Sequence, residues 1–271
     1  MARRPPLDLH GATVVVTGAG SGIGRATARA FAAAGSTVVC ADIDEVTAKE
    51  TAAALGGASV GRHLDVSDRA AFAAFAASVV EEHGVPHVVV NNAGVGMTGR
   101  FLDTTPEDWD WILGVNLHGV INGCQAFGPH LTAAGRGQVV NVSSGLGYIA
   151  RGTEPAYCTT KAAVLHLSAC LRGDWARHGV GVTAICPGVI DTPIIEHTRF
   201  LGERDTAKAR ARTKKTFSRG HSPDAVAAAI VKAVGRNSPV VPVGAETWLG
   251  WVGRRLLPAR AGDLLARADL A

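Results

Sequence analysis

Tyrosine is almost missing from this chain: of 271 residues, only Tyr148 and Tyr157 carry a phenol. Other absences narrow the field before anything positive is considered. No apolar run approaches the roughly 18 uncharged residues of a membrane span. The opening "MARRPPLDLHGATVVVTGAG" starts basic but has no uninterrupted apolar stretch or cleavage site, so no secretory signal is expected. The five cysteines (Cys40, Cys124, Cys158, Cys170, Cys186) form no C-x-x-C pair and have no zinc-type spacing. Reduced thiols in a cytoplasm are the expectation. Ten histidines include no H-x-x-x-H helix pair with a nearby third ligand, so no metal site is expected. The net charge is only +4, and much of the basic charge lies in "ERDTAKARARTKKTFSRG" in the last third. Without a uniformly basic face or a recognisable module, nucleic acid is not an expected partner.

What is present is the pattern of an α/β protein. Hydrophobic residues make up 47% and charged residues 18%, a globular balance. Apolar β-branched runs at 12–18, 36–42, 58–66, 86–94, 137–144, 180–188 and 238–244 predict strands. Helical stretches at 22–35, 44–56, 68–84, a long one from Thr105, and one from about Pro155 to His178 lie between them. Strands that are apolar throughout, separated by helices, predict a doubly wound, mostly parallel sheet covered on both faces. No linker or repeat divides residues 1–271, so a single domain is expected. Within it, about 189–221 breaks the rhythm and is expected to be a lid or a disordered excursion. Residues 245–271 form a Trp- and Arg-rich C-terminal tail.

Chemistry concentrates in a few places. "TVVVTGAGSGIG" sets a glycine cluster between the first strand and its helix, spaced T-G-x-x-x-G-x-G. The strict G-x-G-x-x-G fingerprint fails at Ile23. Either this is only a turn, or Gly18, Gly22 and Gly24 let the backbone approach a pyrophosphate at the helix N-terminus. Asp42 ends the second strand 18 residues after Gly24. It would accept hydrogen bonds from a ribose diol and repel a 2′-phosphate, favouring NAD(H) over NADP(H), or else cap the next helix. In "EPAYCTTKAAV", Tyr157 and Lys161 share a helix face at i and i+4. A free phenol titrates near 10, and a neighbouring ammonium would bring it into a useful range. Such a pair is equally compatible with simple solvation or packing.

"TGAGSGIG", "NNAG" at 91–94, Asn116, Ser144, "YCTTK" and "PG" at 187–188 occur in the order of the short-chain dehydrogenase/reductase motifs. Over about residues 10–195 the chain resembles the short single-domain branch of that family. The resemblance implies that Tyr157 exchanges a proton with the substrate oxygen as hydride moves. Lys161 would lower the tyrosine pKa and hold the nicotinamide ribose. Ser144, favoured over Ser143 by its spacing, would hydrogen-bond the carbonyl oxygen. Asn116 would link Lys161 to solvent through water, or be a satisfied core amide. Gly18, Ser21, Ile23 and Gly24 would surround the phosphates, Asp42 the adenosine ribose, and Asp65 and Val66 the adenine. Asn92, Ala93 and Gly94 would line the pocket, and Pro187, Gly188, Ile190 and Thr192 would flank the nicotinamide.

The implied activity is NAD(H)-dependent interconversion of an alcohol, expected to be secondary, and a ketone or aldehyde, by a homodimer or homotetramer. Gly145, Leu146, Gly147 and Ile149 suggest an uncharged or largely apolar substrate. The basic Lys208–Lys215 stretch would either greet an acidic group or be a solvated lid. Alternatives are a dehydratase or epimerase that retains NAD, and a non-catalytic dinucleotide sensor. His197 is expected to be an exposed loop histidine, and Trp109 and Trp111 packing or subunit-contact residues. The tail, with Trp248, Trp251, Leu256, Leu257, Leu264 and Leu265 interrupted by Pro258 and Gly262, would close a pocket or meet a subunit, lie on a membrane surface, or fray.

Overall fold

β1 (Thr13–Thr17) shows why the apolar runs become strands buried on both faces. Val14 and Val16 enter one apolar layer and Val15 the other, all fully buried. The period of two that sends alternate side chains to opposite faces leaves a central strand no polar side. The chain is described by a computed structural model covering residues 7–256, Pro258 and Ala266.

β1, β2 (Thr37–Asp42), β3 (Val60–His63), β4 (Val88–Asn91), β6 (Gly137–Val142), β7 (Val180–Pro187) and β9 (Val240–Val243) form one seven-stranded sheet. Its order is β3-β2-β1-β4-β6-β7-β9 and every pairing is parallel. The short β5 (Met97–Thr98) and β8 (Arg199–Phe200) pair separately. On one face of the large sheet lie α1 (Gly22–Ala33), α2 (Glu45–Leu55) and α8 (Pro223–Arg236). On the other lie α3 (Arg69–His83), α5 (Gly119–Ala133) and α6 (Pro155–Trp175). This is the expected doubly wound, single-domain fold. Pro242 is tolerated in β9 because that strand forms the sheet edge.

Local chemistry sets the helix ends. Asp44 and Asp68 accept hydrogen bonds from the first amides of α2 and α3, and both helices stop at a glycine of positive φ. α4 (Pro106–Leu113) begins with Pro106 and a reciprocal Thr105–Asp108 capping box. The single long helix expected from Thr105 is interrupted: a π-helical turn at Gly114–His118 separates α4 from α5. Such wide turns occur mostly as single bulges and often at functional sites. The segment expected to be a lid or disordered is built, with short helical turns at Pro193–His197 and Gly202–Arg204, then α7 (Ala207–Phe217). α9 (Ala245–Leu256) starts the tail; Leu257, Gly262, Leu264 and Leu265 lie outside the described residues.

Phe127 of α5 meets Phe72 and Phe75 of α3 edge-on, at 6.4 and 6.3 Å between ring centres. Removing a fully buried ring leaves a cavity as well as losing its transfer free energy. Phe127→Ala is therefore expected to cost about 3–5 kcal/mol, read in denaturant unfolding as a lower midpoint at unchanged slope.

Candidate active site

The strand order reverses between β1 and β4, so the loops leaving these two strands diverge and open a crevice at their C-terminal ends. A cavity of about 1670 Å³ occupies it. The lining runs from Gly18, Ser21, Ile23, Asp42, Asp65 and Val66, past Asn92, Ala93 and Gly94, to Ser144, Tyr157 and Lys161. It continues to Pro187, Gly188, Ile190 and Thr192. Of the catalytic and cofactor candidates, Gly24 and Asn116 do not line it.

Gly24 acts from beneath. A methyl group there would stand 1.9 Å from the Gly18 carbonyl oxygen, so only glycine lets α1 begin tight against its own loop. Side chains both inside and outside the motifs hold the loop. The Asn92 amide donates to the carbonyls of Thr17 and Gly18, at 2.8 and 3.2 Å. The Thr17 hydroxyl accepts from the amides of Asn92 and Ala93. The Thr51 hydroxyl donates to the Ala19 carbonyl, and Arg25 donates to the Gly20 carbonyl. Thr51 and Arg25 lack a sequence signal because their partners come from turns and helices brought together by folding.

Asp42 does not cap α2; Asp44 does, accepting from the amides of Val46 and Thr47. One Asp42 oxygen accepts from the Gly20 amide at 2.8 Å and the other from the Asp44 amide at 3.1 Å. The carboxylate is thus fixed beside the glycine loop at the cavity wall, with Asp44 also lining it. Asp65 is oriented similarly, accepting from the amide and hydroxyl of Ser67.

Tyr157 and Lys161 occupy the first turns of α6, which opens with Pro155. The Lys161 ammonium lies 5.7 Å from the Tyr157 ring centre and donates to the Val142 carbonyl at 3.1 Å. Burial lowers its pKa from the ordinary 10.5 to about 8. The tyrosine differs from expectation. Burial pushes its phenol above the ordinary range and Ser144 pulls it back by a hydrogen bond, while Glu154 and Cys158 push it further up. In the ligand-free chain desolvation outweighs any pull from Lys161, so Tyr157 is protonated at neutral pH. Both serines border the cavity, but the Ser143 hydroxyl is committed, donating to the Lys161 carbonyl at 2.7 Å, while the Ser144 hydroxyl accepts from the Leu146 amide at 3.1 Å. Asn116, on the π-helical turn, grips Val95 at both ends: its oxygen accepts from the amide at 2.8 Å and its nitrogen donates to the carbonyl at 2.9 Å. That matches the satisfied amide, and it positions the backbone beyond Gly94.

The far wall holds several residues that the sequence left unassigned. Tyr148 donates to the Thr247 carbonyl at 2.7 Å and packs edge-on against Trp251, docking α9 on the Ser144 turn. Glu246 accepts from the Val189 amide and faces His221 at 3.2 Å, gripping both ends of the 189–221 segment. A Cβ at Gly188 would displace the Glu246 carboxylate from this position. Trp109 packs on Phe101 as expected, but Trp111 lines the cavity and stacks beneath Arg199, whose guanidinium also pairs with Asp108 at 2.9 Å. His197 is exposed and lies on the cavity wall.

A crevice at the switch point of a doubly wound sheet, with a glycine loop at one end and a Ser–Tyr–Lys cluster along it, defines a dinucleotide-binding enzyme class. The family model for short chain dehydrogenases matches residues 12–200, and the chain belongs to that family. It is 50% identical over 263 residues to the probable oxidoreductase EphD of Mycobacterium tuberculosis, covering 93% of this chain and 44% of that protein. This chain thus spans less than half the length of that relative. It is 37% identical over 228 residues to D-threitol dehydrogenase of Mycolicibacterium smegmatis, covering 82% of this chain and 85% of that one. Among solved structures, a short chain dehydrogenase/reductase from Burkholderia phymatum in complex with NAD superposes with a TM-score of 0.87. Its sequence identity is 28%, and the match covers 98% of this chain and 99% of that one. The chain thus shares its family and fold with a protein solved in complex with NAD.

Between pH 8 and 10.5 the unfolded chain keeps a proton on Lys161 that the folded chain has released. Stability owed to this group therefore rises with pH across that window, and the full cost of the buried ammonium is present below it. Lys161→Met removes the cost. Its stability relative to the parent is expected to be greatest below about pH 8 and to decline towards pH 10.5, measured by urea unfolding of both ligand-free proteins at a series of pH values.

Proposed function

We propose that the chain is an NAD(H)-dependent oxidoreductase that interconverts an alcohol, chiefly a secondary one, and the corresponding carbonyl compound, with Tyr157 as general acid and base. The observation that carries this reading is the meeting of Ser144, Tyr157 and Lys161 on one wall of a crevice continuous with the glycine loop and Asp42. The bound dinucleotide supplies or accepts the hydride. The residues present suit it: Gly24 lets α1 begin tight beneath the glycine loop, so that the helix N-terminus can serve a pyrophosphate, and the fixed Asp42 carboxylate suits a ribose diol. Asp44 beside it adds a second negative charge unfavourable to a 2′-phosphate.

Tyr157, protonated in the free enzyme, holds the proton that a carbonyl oxygen needs when it gains charge. Ser144 places a second hydroxyl beside that phenol to stabilise the developing oxyanion. Lys161 is buried, donates to the Val142 carbonyl and lines the crevice, where it would hold the ribose of a nicotinamide, and Asn116 acts as a positioning residue through Val95. A homo-oligomer in a reducing compartment completes the proposal. In support are five free thiols and an apolar cleft of about 410 Å³ on α5 and α6, walled by Ile121, Leu167, Leu171 and Trp175.

A panel of secondary alcohols and ketones assayed with NAD(H) and NADP(H) by absorbance tests the reading, and net NADH formation or consumption is expected. Tyr157→Phe is expected to lower kcat by about 10²–10⁴-fold with NADH affinity by fluorescence titration unchanged; simultaneous loss of both would contradict the role. Asp42→Ala is expected to weaken NAD binding by roughly tenfold or more while weakening NADP less, read by the same titration.

A further inference from the structure

Beyond Tyr157 the cavity continues, and its far wall has a consistent chemical character. At about 1670 Å³ it exceeds the roughly 300–1,000 Å³ of pockets for a single drug-sized ligand. Room therefore remains beside a dinucleotide for a sizeable second molecule. The wall is assembled from four segments: Leu146 and Ile149 of the Ser144 turn, Ile194 and Ile195 after β7, Phe217 of α7, and Leu249 of α9. None of these six side chains is fully buried in the protein, so each retains apolar surface that a ligand can cover.

Groups suited to a polyol are scarce along this wall. The hydroxyls of Thr198, Thr213 and Thr216 line it, but each donates its proton to a main-chain carbonyl, of Ile194, Ala209 and Arg212 respectively. Most charged groups here have partners within the protein or are exposed. Arg151 pairs with Glu154 at 3.1 Å, Glu246 accepts from the Val189 amide and faces His221 at 3.2 Å, Arg204 is half-buried, and His197, Arg212 and Arg254 are exposed. Leu249 carries the apolar wall outward, since it borders the cavity and is 64% exposed.

We infer that the substrate is a ketone or secondary alcohol whose reacting carbon sits on an extended apolar chain, received between the Ser144 turn, α7 and α9. The inference rests on the alcohol–ketone reading above. Its test is a homologous series from 2-butanone to 2-decanone, reduced with NADH, with D-threitol oxidised by NAD in parallel. Each added methylene that reaches the wall is expected to raise kcat/KM about fourfold, the factor equivalent to about 0.8 kcal/mol, until the wall is spanned. Leu249→Asp, at an exposed position that folding does not depend on, is expected to reduce kcat/KM for 2-decanone at least tenfold and for 2-butanone much less. Turnover without a chain-length trend, a uniform loss in the Leu249 variant, or preference for threitol over every alkanone overturns this inference and leaves the reaction class standing. NADH binding with no turnover of any ketone, alcohol or polyol overturns the reaction class and this inference with it.

Discussion

The parallel crossover between β1 and β4 is the constraint on which the rest of this molecule depends. Two neighbouring strands whose connections leave in opposite directions cannot have their C-terminal ends covered by their own loops. The gap remains because buried valines on both faces lock the sheet register: a slip by one residue would exchange Val15 with Val14 and Val16 between two distinct apolar layers. The glycine loop, the Asn92 amide and the Ser144 turn all leave from these strand ends or the next one, so fixing the sheet fixes their spacing.

A run of buried polar groups crosses the sheet beside that gap, although the Asn91 side-chain oxygen lacks a partner among the described residues. Asn91 of β4 donates to Asn141 of β6, which donates to Ser168 of α6. This buried run ties the helix carrying Tyr157 and Lys161 to the centre of the sheet, where low polarity strengthens each bond. Lys161 is the exception in charge. Held nine-tenths and more from water, with a main-chain carbonyl as its described partner, it is poised close to losing its proton. A site with a strained ammonium and a raised phenol is set to respond to whatever charge next enters the crevice.

The outer half of the site follows a different logic. There, the chain recruits late segments to complete a wall: α7 after the β7 exit, and α9 from the end of the described chain. Glu246 gathers both ends of the intervening segment, and Arg199 staples its middle to Asp108 and Trp111. Such variable walls on a constant sheet allow one reaction to be applied to different molecules.

The strands, most helices and the glycine loop were legible because each is encoded locally, by period, cap or spacing, whereas Ser144, Tyr157 and Lys161 stood out together only through the resemblance to an ordered set of family motifs. The π-helical turn at Asn116 was not, because a helix widened by one residue keeps nearly the same apolar pattern as an α-helix. Nor was the raised tyrosine, since desolvation depends on neighbours from distant segments. By itself the sequence determined the sheet, and it put forward the candidate side chains that stand on it. Only the tertiary structure decided which of them touch the crevice, that Asp44 and not Asp42 caps α2, and that Glu246 and α9 close the far wall. Those outcomes turn on contacts between residues far apart in the chain, and local residue order carries no record of such distances.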